Sequence, residues 1–110
     1  MLEYWLWLAH RPNLNEHQKL LLLQSFQSPE AVYQAAPGEF DVFSGITAQG
    51  KLALSDKNLA LYRATLDYCC REGIHILTFR DEAYPQRLKN IYDPPLVLYY
   101  KGTFPRFDGV

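Results

Sequence analysis

The stretch "EGIHILTFRDEAYPQRLKNIYDPPLVLYYKG", residues 72–102, decides the fold, because its hydrophobic pattern differs from that of the preceding residues. Gly73 is suited to end a helix in the left-handed conformation. Residues 74–79 then have the length and composition of a strand, residues 84–89 can form a short helix, and residues 96–100 suit a second strand. This order predicts one βαβ unit, which is the beginning of a parallel sheet.

The residues before this stretch predict a series of short helices. Residues 2–9 are hydrophobic on every side, which is typical of a buried helix. Asn15 can cap a second helix that runs to Gln24. Ser28 followed by Pro29 places a capping side chain before a proline, which is a common way for a helix to begin. The first part of the chain is therefore expected to be helical.

Residues 39–54 predict one or two further helical turns, and the clearest helix of the chain follows them. Ser55 is a suitable cap for that helix. Its apolar residues recur at the spacing of one buried stripe, and they are Leu59, Tyr62, Leu66 and either Cys69 or Cys70. The pattern predicts a helical domain over residues 1–73 and the start of a second domain over residues 74–110.

Charge limits what this chain can bind. The 110 residues carry a formal net charge of −1. Residues 1–73 contain six basic and eight acidic side chains, and residues 74–110 contain five and four. A domain that binds nucleic acid by itself usually has a basic surface, because contacts to phosphates supply most of its affinity. The charge therefore predicts weak or no DNA binding by this chain alone.

No residue pattern of an enzyme or a metal site stands out, so we expect no catalytic residue, no bound metal and no cofactor. His10, His17 and His75 lie far apart, with no carboxylate at ligand spacing. The adjacent Cys69 and Cys70 are typical of a reduced cytoplasmic protein. The apolar N-terminus is too short to span a membrane and lacks the basic start of a signal peptide.

One turn has the outline of a helix–hairpin–helix. Residues 12–15, Pro-Asn-Leu-Asn, separate two predicted helices, and a lysine follows. In such hairpins, backbone amides near the start of a helix hold a DNA phosphate. The candidate DNA contacts are Arg11, Asn13, Asn15 and Lys19. Two interpretations stay open, a DNA contact or a helical turn without a ligand, and the negative charge of this half favours the second.

Two segments resemble the DNA-processing protein A family, also called DprA or Smf. The stretch "RPNLNEHQKLLLLQSFQSPEAVYQA", residues 11–35, is similar to the family's opening, in which a leucine-proline-glycine-x-glycine hairpin leads into a leucine-rich helix. Residues 72–102 resemble a second family signature even more closely. The matching residues are Tyr84, Pro85, Leu88, Ile91, Asp93, Pro94, Pro95, Leu98, Tyr99, Lys101 and Gly102.

These signature residues are interpreted as mainly structural. Pro85 would start a short helix that Leu88 and Ile91 anchor on the sheet. The two consecutive prolines after Asp93 would fix the entry to the second strand, since neither has an amide to donate. Asparagine stands at positions 13 and 15, where the family's hairpin has glycine.

The resemblance implies an α+β fragment: a helical domain of the sterile-alpha-motif (SAM-like) or helix–hairpin–helix type, followed by the first βαβ unit of a Rossmann-like domain. It also implies a cytoplasmic, non-enzymatic family that binds single-stranded DNA and loads RecA onto it during natural transformation. The family's DNA-binding motifs would follow Val110. We therefore expect an accessory module for protein–protein contact, whose unpaired strand edges predict either poor solubility or self-association through the strands. The alternative is a hairpin module that binds DNA itself.

Overall fold

The computed structural model of the chain describes residues 2–91 and 94–101. The described residues form six α-helices, one 3-10 helix and two β-strands. They are α1 (Leu2–Ala9), α2 (Glu16–Phe26), α3 (Pro29–Gln34), a 3-10 helix (Pro37–Val42), α4 (Ala48–Leu54), α5 (Ala60–Glu72), β1 (Ile74–Thr78), α6 (Gln86–Lys89) and β2 (Val97–Lys101). The fold is therefore a small α+β arrangement, whereas the SAM-like and Rossmann-like assignments stay predictions.

Local capping signals set several of the helix ends. The side chain of Ser28 accepts a hydrogen bond from the Ala31 amide and begins α3 as expected. Gly73 ends α5 in the left-handed conformation, with φ of 69°. Of the two cysteines at the end of the α5 stripe, Cys69 is buried and Cys70 is exposed. The predictions for these positions are confirmed.

The prediction that Ser55 caps α5 is wrong. Ser55 lies at the end of α4, where its hydroxyl donates to the carbonyl oxygen of Lys51. Helix α5 begins only at Ala60, whose amide donates a hydrogen bond to the side chain of Asn58. A second turn of this kind precedes it, in which the Asp56 carboxylate accepts a hydrogen bond from the Asn58 amide. These turns satisfy the backbone between the two helices, so the start of α5 is displaced by four residues along the chain.

The prediction of a parallel βαβ unit is also wrong, because β1 and β2 pair antiparallel, with Ile74 opposite Lys101 and Thr78 opposite Val97. The Phe79 amide donates to the carbonyl oxygen of Leu96 (2.8 Å) and continues the pairing beyond the strand ends. The chain thus enters β2 at the end where it left β1. Both ends of the connection are held at this edge of the sheet, because Asp81 turns the chain after β1 through the Thr78 amide and the Tyr84 hydroxyl donates to the carbonyl oxygen of Pro95 just before β2.

One hydrophobic core joins the helices to the sheet. Its largest fully buried side chains include Leu6 and Trp7 of α1 and Leu22 of α2. Leu96 and Val97, at the start of β2, belong to the same cluster. The proposed division at residue 73 therefore crosses a shared core in this structure, and it stays a prediction. None of the helices over the described residues is long and apolar enough to cross a membrane.

Candidate functional site at the helix hairpin

The turn between α1 and α2 is a tight hairpin held by asparagines. Asn13 has φ of 63°, the left-handed conformation that asparagine tolerates better than most residues. Asn15 is extended and caps α2, because its Oδ1 accepts the Gln18 amide (2.7 Å). The Gln18 side chain in turn accepts the Asn15 amide (3.0 Å), which completes a capping box. Both hairpin asparagines thus have defined structural roles.

Helix α4 closes one side of this hairpin. Gly50 lies so near the turn that a Cβ placed on it would be 3.0 Å from the Asn13 carbonyl oxygen and 3.2 Å from Leu14 Cδ2. The Gln18 side chain also donates to the carbonyl oxygen of Gly45 (2.6 Å). A hairpin covered by a neighbouring segment offers less open backbone to a ligand than an isolated one does.

Lys19 is buried and joins the two helices of the hairpin. Its ammonium donates to the carbonyl oxygen of Ala9 (2.6 Å), the last residue of α1. It also forms an ion pair with Glu16 (3.1 Å). A cation at a helix C-terminus satisfies a free carbonyl and complements the helix dipole. The charge of Lys19 is therefore used inside the chain.

Arg11 is buried in the same way and organises the contacts around it. Its guanidinium donates to the carbonyl oxygens of Trp7 (2.8 Å) and Ala53 (2.9 Å) and to the hydroxyl of Tyr62. Its Cζ lies 5.0 Å from the centre of the Trp7 ring. The exposed carboxylate of Asp56 is 3.6 Å away. Arg11 thus connects α1, α4 and α5, and its donors point into the protein.

The structure places two of the four proposed DNA contacts, Arg11 and Lys19, in internal networks, and it gives Asn15 a capping role at the start of α2. Of the four, Arg11 and Lys19 are buried, whereas Asn13 and Asn15 are exposed at the turn. In this conformation neither hairpin cation presents its charge to solvent. Their role as DNA contacts stays a prediction. Over residues 2–91 and 94–101, no group of three or more His, Cys, Asp or Glu side chains is placed to hold a metal ion.

His10 continues the hairpin network to the sheet. Its Nε2 shares a hydrogen bond of 3.1 Å with the Tyr99 hydroxyl, and its ring stacks on Tyr62 at 5.9 Å. Although part of the ring is exposed, its contact side is shielded from water. Burial lowers the pKa of His10, and the positive charges of Lys19 and Arg11 lower it further against the opposing effect of Glu16.

This lowered pKa predicts a pH dependence of stability. Below about pH 6.5 the unfolded chain takes up a proton on His10 more readily than the folded chain does, so stability falls as pH falls towards the folded-state pKa. We expect urea midpoints to decrease between pH 7.5 and pH 5. The variant His10→Gln should show a smaller decrease over the same range. Equal decreases in both proteins would contradict the prediction.

The signature residues of 84–101 have mixed placements. Tyr84 is buried, its hydroxyl donates to the carbonyl oxygen of Pro95 (2.7 Å), and burial raises its pKa to about 12. Pro94 is fully buried, and Pro85 directly precedes α6. Leu88 is half-buried, Tyr99 and Lys101 are exposed, and Asp93 and Gly102 lie outside the described residues. Ile91 is 47% exposed, so the prediction that it anchors α6 on the sheet is wrong.

Two charged residues that follow β1 have structural roles. Arg80 donates to the carbonyl oxygen of Gln27 at the left-handed end of α2. Asp81 accepts the Thr78 amide (2.6 Å) and turns the chain after β1. The partner of Arg80 is 53 residues away along the chain. No local pattern signals such a contact, whereas a short polar residue after a strand does suggest a turn like that of Asp81.

Comparison with known proteins gives a consistent but short match. Residues 75–109 match the model of the family described as DNA recombination-mediator protein A. A protein from Borreliella burgdorferi, "Protein Smf", is 58% identical over 24 residues, which cover 22% of this chain and 8% of that protein. No solved structure matches. Over residues 75–109 the chain is therefore similar to the DNA recombination-mediator protein A family, and over 24 residues it is similar to a Smf protein.

Proposed function

We propose that this chain is a non-catalytic accessory module of a cytoplasmic DNA-processing protein. The whole protein would bind single-stranded DNA and load a RecA-type recombinase, and the helical region 1–73 would make protein–protein contacts. The match of residues 75–109 to a family of DNA recombination mediators carries this proposal. The separate 24-residue match to Protein Smf covers 8% of that protein, so the activity of the whole protein is part of the proposal.

The electrostatics of the hairpin support an accessory role rather than a direct DNA contact. Lys19 is neutralised by Glu16 at 3.1 Å, and Arg11 is buried among carbonyl oxygens and aromatic rings. Single-stranded DNA binding depends on exposed cations that release counterions from phosphates, together with aromatic side chains that stack on bases. Because Arg11 and Lys19 are internal, the hairpin offers few exposed cations to DNA phosphates.

A titration with single-stranded DNA tests the proposal. Fluorescence anisotropy with a fluorescein-labelled oligothymidine should show affinity at least about tenfold weaker for this chain than for a complete family protein, because phosphate contacts dominate such affinity. The dependence of log K on log salt should also be shallower, by about 0.7 for each phosphate contact that this chain lacks. Equal affinity and equal salt dependence would reject the proposal.

The left-handed Asn13 and the capped start of α2 favour one alternative, that the hairpin itself binds DNA. Lys19→Met tests it, because methionine keeps much of the buried aliphatic volume and removes the charge. The alternative predicts weaker binding and a shallower salt dependence for this variant, at a temperature where circular dichroism shows it folded. Lys51→Met is the matched control, since Lys51 pairs with Asp41 (3.0 Å) at the surface. Equal binding by both variants would reject the alternative.

A further inference from the structure

An open cleft lies beside the hairpin, between the end of α1, one side of α5 and strand β2. Its volume is about 380 Å³, and it is lined by His10, Leu61, Tyr62, Thr65 and Tyr99. Sites for small molecules in proteins typically measure about 300–1,000 Å³. The cleft is therefore large enough to receive a single side chain or a small ring.

The polar atoms of the cleft already bond to one another or to the protein behind them. The bonded pairs are the Tyr99 hydroxyl with His10 Nε2 (3.1 Å), the Thr65 hydroxyl with the Leu61 carbonyl oxygen (2.9 Å), and the Tyr62 hydroxyl with the Arg11 guanidinium. A ligand that needs new hydrogen bonds gains few here. The surface that remains consists of aromatic faces and aliphatic groups, which favour an apolar ligand.

Apolar side chains continue the cleft along α5. Leu61 is 67% exposed and Tyr99 is 43% exposed, although both are large and hydrophobic. Tyr68, also exposed, lies seven residues after Leu61 and therefore on the same side of the helix, with Thr65 between them. Exposed apolar groups that cluster in this way usually mark interaction surfaces, and tyrosine is enriched at the interfaces between proteins.

The charges around the cleft distinguish a protein ligand from a nucleic acid. Of its described lining residues only His10 can carry a charge, and its lowered pKa keeps the ring neutral at pH 7. The cations behind it, Arg11 and Lys19, are buried and bonded. Exposed Glu72 follows on the same side of α5 and would repel phosphate. An uncharged surface of this kind is electrostatically complementary to an uncharged side chain.

We propose that this cleft receives an aliphatic or aromatic anchor side chain of a partner protein. The inference rests on the proposed function, which gives the helical region a protein partner, and it adds the surface and the chemistry of the contact. Tyr62 and Tyr99 form the aromatic walls, and the hydrogen bond between Tyr99 and His10 fixes the wall on the sheet side. Anchors of this type, seated in a preformed pocket, supply much of the affinity of protein interfaces.

Amino-acid amides can serve as probes of the cleft. We expect N-acetyl-leucinamide and N-acetyl-tryptophanamide to shift the backbone amide signals of Thr65 and Tyr99 in ¹H–¹⁵N spectra of this chain. Binding should be saturable, with Kd of about 1–10 mM, because a lone anchor of this size carries only a small part of an interface. Adenosine monophosphate at the same concentration should leave these signals unchanged.

A pair of variants on α5 provides the control. Thr65→Arg places a charged side chain in the cleft and should weaken binding of both amides at least about tenfold, while Ala64→Arg, on an exposed neighbour outside the cleft lining, should leave it within about twofold. Arginine is a good helix former, so both variants should retain their circular dichroism. Absence of shifts with the amides, equal shifts with adenosine monophosphate, or unchanged binding by Thr65→Arg would each overturn the proposal.

The cleft and the proposed function can fail separately. If the amides do not bind while the DNA titration shows the expected weak affinity, only the cleft proposal is rejected. If this chain binds single-stranded DNA as tightly as a complete family protein does, the accessory role is rejected whatever the amides do.

Discussion

Replacing Arg11 with methionine is expected to lower the free energy of unfolding by about 3 kcal/mol. The substitution removes hydrogen bonds to Trp7, Ala53 and Tyr62, and each hydrogen bond to a charged group contributes about 1.5–3 kcal/mol. Part of this loss is offset, because methionine does not carry the cost of burying a charge. Urea unfolding followed by circular dichroism measures the difference.

The matched control is Arg63→Met, at an exposed position on α5. Arg63 lies 3.9 Å from Glu3, and surface ion pairs of this kind contribute about 0–1 kcal/mol. The two arginines thus differ in burial and in bonding but not in the chemistry of the substitution. If both variants lost the same stability, the guanidinium of Arg11 would not organise the hairpin.

Much of the helical part could be predicted from the sequence, because its signals are local. Asn15 caps α2 through an amide three residues away, and Ser28 does the same for α3. Gly73 ends α5 because a left-handed residue is needed directly after the helix. Each signal lies within one helical turn of the feature that it sets, so it can be recognised without knowing the rest of the fold.

The direction of β2 and the burial of the hairpin cations could not be predicted in this way. Two short strands separated by a helical pattern suggest a parallel unit, whereas the antiparallel pairing depends on contacts between residues far apart along the chain, such as the Phe79 amide with the Leu96 carbonyl oxygen. Arginine and lysine are mostly exposed in proteins, so their residue types predict that Arg11 and Lys19 lie at the surface. Ala53, a partner of Arg11, is 42 residues away along the chain.

The contacts of the hairpin explain why a motif that resembles a DNA-binding element does not present a basic surface here. Lys19 bonds to the end of α1, and Arg11 bonds to a helix 42 residues further along the chain. These two cations stabilise the packing of the helices, and they bring His10 and Tyr62 to the edge of the cleft. The same network that withdraws charge from the surface therefore builds the uncharged site proposed for a partner protein.

Replacing Leu96 with alanine is expected to destabilise the helices as well as the sheet, by about 2–5 kcal/mol. Leu96 is fully buried and belongs to the same core cluster as Leu6 and Trp7 of α1. Truncation of a buried leucine loses its transfer free energy and leaves a cavity. Because the shared core crosses the proposed boundary at residue 73, the loss should be reported by the tryptophans of α1.

Tryptophan fluorescence during urea unfolding measures this effect, since Trp5 and Trp7 both lie in α1. The control is Leu52→Ala, which makes the same chemical change at a position that is 72% exposed and should alter stability by less than about 0.5 kcal/mol. A fluorescence midpoint that moves with Leu96→Ala would show that residues on both sides of the boundary unfold as one cooperative unit. An unchanged midpoint would instead mean that the helical region is stable without the sheet, as a division into domains 1–73 and 74–110 requires.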